Sequence, residues 1–66
     1  MPHLTINGEP KNTRSDQILE VLLELSLPAP LMLVEHNGIA LHRSEWRDIS
    51  LRDGDRLELM RVAAGG

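Results

Sequence analysis

Apolar and polar residues alternate in the opening stretch HLTIN, with Leu4 and Ile6 on one side and His3 and Thr5 on the other. A period of two marks a strand with one buried face. Asn7-Gly8 follows, a pair that readily takes positive φ and signals a hairpin, and KNTR at 11–14 would be the return strand. The period then changes. Across DQILEVLLELSL at 16–27, Ile18, Val21, Leu22 and Leu25 recur at i, i+3, i+4 and i+7, which predicts an amphipathic helix. Ser15 is placed to cap it and Asp16 to sit in its positive first turn. Gln17, Glu20 and Glu24 take the opposite face, Leu19 widens the apolar stripe, and Leu23 lies at its margin. LPAP then ends the helix, because proline cannot continue it and restrains the residue before it.

LMLVEHNG restarts the strand pattern, apolar on both faces until Glu35, as in a central strand. Its Asn37-Gly38 turns the chain into the short strand IALH. RSEWRDIS reads as a loop or single helical turn, with Trp46 covering an edge of the core. A turn centred on Asp53-Gly54 leads to RLELMR, with Leu57 and Leu59 inward and Glu58, Met60 and Val62 on the other face. AAGG carries no further pattern.

The predicted order is strand, strand, helix, strand, short strand, strand, with no repeat or linker. In so short a chain this suggests an α+β fold of the β-grasp type. It would be a mixed sheet of four or five strands, with the first and last strands side by side in its centre and one amphipathic helix packed on one face. The expected division is a domain over 1–62 and a C-terminal tail over 63–66. The opposite sheet face is left poorly covered.

Composition narrows the chemistry. With 66 residues there is room for one modest core and no deep cavity. Trp46 is the lone aromatic, so the core must be aliphatic. Net charge is −3, from seven Lys+Arg against ten Asp+Glu, which argues against a nucleic-acid footprint. Cysteine is absent, so there is no disulfide framework and no thiolate for catalysis or metal binding; a cytoplasmic location is the expectation. MPHLTINGEP lacks the basic and apolar regions of a signal peptide, and LPAPLMLV is too short and proline-broken to span a bilayer.

The side chains offer no catalytic constellation. His3, His36 and His42 lack the spacing of a helical metal pair, so no metal site is expected. Ser15 and Ser44 have no nucleophile elbow, and the Asn-Gly turns lack the repeated glycines of a phosphate loop. Asp48, Asp53 and Asp55 form a cluster that could bind a cation, although turn chemistry accounts for Asp53 and Asp55 more cheaply. What remains is the chain end. Ala63, Ala64, Gly65 and Gly66 are slim and, extended, would reach roughly 13 Å beyond the domain. Such a segment can enter a narrow channel and carry its carboxylate into a partner's active site; a frayed terminus is the plainer alternative. A carboxylate with a pKa near about 3.5 is anionic and inert toward nucleophiles until one oxygen becomes a leaving group. Adenylation would do this and would need ATP, Mg²⁺ and another protein, because no nucleotide site is visible here. Met60 and Val62 beside the tail would offer a partner-docking patch, with Arg61 available to pair with acidic groups.

Asn-Gly after the central strand, RSEW, DGD before the last strand and a terminal AGG occur in that order, together with LTINGEP and the leucine-rich helix. In this the chain resembles, over essentially its whole length, the ThiS family, the sulfur carriers of thiamine thiazole biosynthesis. It departs from the family pattern at Glu35, His36 and His42. The resemblance implies a ubiquitin-like β-grasp fold and a covalent substrate rather than an enzyme. It implies that Gly66 is adenylated by a ubiquitin-activating-type enzyme using ATP and Mg²⁺, and is then converted to a thiocarboxylate with sulfur from a cysteine desulfurase pathway. Thiazole synthase would take that sulfur. Competing expectations are a molybdopterin synthase small subunit, a ubiquitin-like protein modifier, and a plain interaction domain with an incidental Gly-Gly end.

Overall fold

A computed structural model describes residues 1–62. The chain forms β1 (His3–Ile6), β2 (Glu9–Asn12), α1 (Ile18–Glu24), β3 (Met32–His36), β4 (Ile39–Leu41) and β5 (Arg56–Arg61), with 3₁₀ turns at Ala29–Leu31 and Arg43–Asp48. The five strands make one mixed sheet in the order β2-β1-β5-β3-β4. β1 pairs antiparallel with β2 and parallel with β5, and β3 pairs antiparallel with both β5 and β4. The first and last strands therefore lie side by side, with β5 central, as the order of elements suggested. The tail expected over 63–66 lies outside the described residues.

Local chemistry shifts several boundaries. Asn7 and Gly8 both take positive φ, 50° and 83°, and close a two-residue hairpin that places Ile6 opposite Glu9. The return strand is therefore Glu9–Asn12 rather than 11–14, and Pro10 is tolerated because β2 is an edge strand. The helix is seven residues, shorter than the 16–27 expected. Its N-cap is Gln17, not Ser15; the Ser15 hydroxyl accepts the Gln17 N–H at 3.1 Å and shapes the approach to the helix one step earlier.

The helix ends before Pro28. Ser26 sits at φ 58°, its N–H donates to the Leu23 carbonyl, and the Leu27 N–H donates to the Leu22 carbonyl. These two bonds form a Schellman closure with serine in the position that glycine usually takes. Leu25 and Leu27 then pack at the edge of the core instead of extending the helix. Leu19, expected within the apolar stripe, is about half exposed (47%).

A seven-residue helix is unstable alone, so its burial holds it. Ile18, Val21 and Leu22 are fully buried against the sheet face formed by Leu4, Ile6, Met32, Val34, Leu57 and Leu59. Each such side chain contributes roughly 1.5–3 kcal/mol relative to exposure. Trp46, carried on the second 3₁₀ turn, and Leu51 close the core from the side. The Glu45 carboxylate folds back to accept the His42 N–H at 2.7 Å and fixes the start of that turn.

Candidate functional site

β5 is the strand that leads to the chain end, and two asparagines grip it from either side. Ile6 is the last residue of β1 to pair with it, opposite Leu57. Beyond that point Asn7 takes over. Its N–H donates to the Leu57 carbonyl at 2.9 Å. Its side-chain oxygen accepts the Leu59 N–H at 2.7 Å, and its Nδ2 donates to the Leu59 carbonyl at 3.2 Å. The amide thus imitates one more residue of ladder. On the β3 side, Asn37 (φ 50°) donates its N–H to the Arg56 carbonyl and accepts the Arg56 N–H on its Oδ1 at 2.8 Å. Both turns were legible as Asn-Gly pairs; the use of the asparagine side chains on β5 was not.

The turn before β5 is braced by Asp55. His36 Nε2 donates to its Oδ2 at 2.8 Å, Asn37 Nδ2 to its Oδ1 at 3.1 Å, and the Arg52 N–H to its Oδ2 at 3.0 Å. Partial burial pushes this carboxyl up, but the bonds from His36, Arg52 and Asn37 outweigh it and hold the group below its ordinary value. Asp53 accepts the His3 N–H at 2.7 Å. The acidic cluster is therefore structural in large part. Among the described residues no group of three or more His, Asp or Glu is placed to hold a metal ion, and no helix is long and apolar enough to cross a membrane.

The face of β5 away from α1 has two zones. Glu58 lies directly opposite Glu35, and like charges so placed disfavour pairing by roughly 0.2–1 kcal/mol. One step further along, Met60 lies opposite Leu33; they are 45% and 51% exposed. Val62 follows, its N–H donating to the Leu31 carbonyl at 2.8 Å. Leu31, Leu33, Met60 and Val62 thus make an exposed apolar zone at the point where the described chain stops. The strand's alternation sets Arg61 on the opposite face, across from Met32, so it does not join Met60 and Val62 in one patch. Leu31 and Leu33 belong to the patch and were missed, because LMLV reads as a strand buried on both sides. Gly66, Gly65, Ala64 and Ala63 lie outside the described residues.

A five-stranded mixed sheet with parallel first and last strands and one helix packed on a single face is a ubiquitin-like β-grasp domain. The chain belongs to the ThiS family, whose model matches residues 4–66. It is similar to the crystal structure of the thiamine biosynthesis protein ThiS from Geobacter metallireducens, with 31% identity and a TM-score of 0.81, over 97% of this chain and 99% of that one. It is also 34% identical over 64 residues to a thiazole synthase of Paramagnetospirillum magneticum. That alignment takes in 96% of this chain and 20% of the relative, so the chain spans about a fifth of that protein's length.

Proposed function

We propose that this chain is a sulfur carrier for thiazole formation in thiamine biosynthesis, with the carboxylate of Gly66 as its working group. Residues 1–62 act as the folded handle and 63–66 as the arm. A carboxylate oxygen attacks ATP on an adenylating partner, giving an acyl-adenylate and pyrophosphate. A persulfide from a cysteine desulfurase pathway then displaces AMP to give an acyl disulfide. A second thiol cleaves that S–S bond and leaves as part of a new disulfide, and the released thiocarboxylate is consumed by thiazole synthase. ATP and Mg²⁺ belong to the adenylating partner, and this chain's role is that of a covalent substrate.

Membership of the ThiS family through residue 66 carries this reading. The similarity of nearly the whole chain to a fifth of a thiazole synthase favours that enzyme as the consumer of the sulfur. The chemistry of the chain agrees: with no cysteine, sulfur has no side-chain thiol to ride on. The apolar zone of Leu31, Leu33, Met60 and Val62 gives partners a surface beside the arm, and Arg61 offers a charge on the other side of the same strand.

Intact mass of the protein isolated from its native host tests this. The expected result is a fraction heavier by the exchange of one oxygen for sulfur at the C-terminus. Conjugates joined to lysine would instead indicate a protein modifier, and an unmodified chain in the presence of its adenylating partner would overturn the carrier role.

A further inference from the structure

The helix side of the molecule carries a concavity. Between the start of α1 and the two 3₁₀ turns lies a half-open groove of about 480 Å³. Ile18, Leu19, Ala29, Pro30 and Trp46 give it an apolar lining, and Arg43 and Arg47 are its charged groups. No carboxylate lines it, although the chain has ten Asp+Glu against seven Lys+Arg. Arg43 is held in place: its Nη2 donates to the Pro30 carbonyl at 2.6 Å and its guanidinium lies 5.8 Å from the centre of the Trp46 ring. Arg47 has no hydrogen-bond or ion-pair partner among the described residues.

We infer that this groove docks a short segment of a partner protein bearing one large apolar side chain flanked by carboxylates. The volume is in the range of sites that take a bulky group. An apolar floor with two guanidiniums at it selects an occupant that is apolar and anionic together, because guanidinium pairs carboxylate in fork geometry. The Glu35–Glu58 zone on the other face repels the same segment, so charge directs it to the groove. Location gives the contact a use. Pro30, in the groove wall, precedes Leu31, whose carbonyl binds the Val62 N–H. A partner seated there would lie beside the root of the arm, which ties this inference to the carrier reading.

The test is titration of the ¹⁵N-labelled full chain with the blocked peptide EDFLED and its charge-reversed counterpart KKFLKK. The expected result is saturable shifts for EDFLED confined to Leu19, Ala29, Ser44, Arg47 and the Trp46 indole, with none for KKFLKK. Arg47→Glu should weaken binding by about tenfold or more, and the exposed Leu19→Ser should weaken it as well. Equal response to both peptides, indifference to Arg47→Glu, shifts elsewhere or no saturation would overturn the inference. Shifts at the same residues on simple dilution would assign the groove to a second copy of this chain, and would also overturn it. Sulfur loading, read by intact mass on the same variants, is a separate outcome: loading without peptide binding removes the groove and leaves the carrier role.

Discussion

Two asparagines in equivalent turns do similar bonding in different surroundings, and that difference is measurable. Asn7 satisfies both main-chain groups of Leu59, a buried residue, whereas Asn37 serves Arg56 at the exposed end of β5. An unpaired buried main-chain group costs about 1–3 kcal/mol, while an exposed one finds water. Asn7→Gly, which keeps the positive φ, should therefore destabilise the domain by about 2 kcal/mol, and Asn37→Gly by less than about 1 kcal/mol. Urea unfolding of the two variants checks the order, and equal losses would refute it. Asp55 adds a pH dependence. Its folded pKa is lowered, so its contribution is full above the unfolded value of about 3.9 and is lost as pH falls through the folded value. The stability gap between the wild-type chain and Asp55→Asn should therefore narrow as pH drops below about 4; a gap that widens on acidification would contradict the bonding described for this carboxylate.

Elements differ in how far their sequence announces them. β1 and β5 were legible because strict alternation shows which of their side chains face the core. The ends of α1 were not. LELSL continues the apolar period past the point where the helix stops, and only the left-handed Ser26 with its two closing bonds ends it. A serine there costs backbone energy that glycine avoids, so Ser26→Gly should raise stability by about 0.5–1 kcal/mol after allowing for the looser unfolded chain. Thermal melts followed by circular dichroism would show it, and a lower midpoint would mean the serine hydroxyl contributes more than its φ costs. The candidate site divides the same way. Met60 and Val62 were visible as the outward positions at and just past the end of β5, but Leu31 and Leu33 were not. Hydropathy cannot tell a strand covered on both faces from one with an open face, and here a single short helix covers only one side. The Asn7 contact with Leu59 joins residues 52 apart and depends on the register of two strands that sequence alone does not align.

For the whole molecule, the carrier reading turns on a proposed separation between what folds and what would react. Among the described residues the apolar core runs from Leu4 to Leu59, and the last bond of the sheet is the one from Val62 to Leu31. Glycine carries no side chain, so removing Gly66 deletes no side chain from that core. The truncated chain should melt within about 0.5 kcal/mol of the full one, the range of changes that touch no packed or bonded group. Its sulfur loading by the adenylating partner should nevertheless be abolished, because the carboxylate would then sit one residue short. Gly65→Val should block loading in the same assay with the length unchanged, since a β-branched side chain adds bulk and narrows the accessible φ in a segment proposed to thread a channel. If the truncated chain loads as well as the full one, the reacting group is not the terminal carboxylate. If it unfolds instead, residues 63–66 belong to the domain, and the division into handle and arm is wrong.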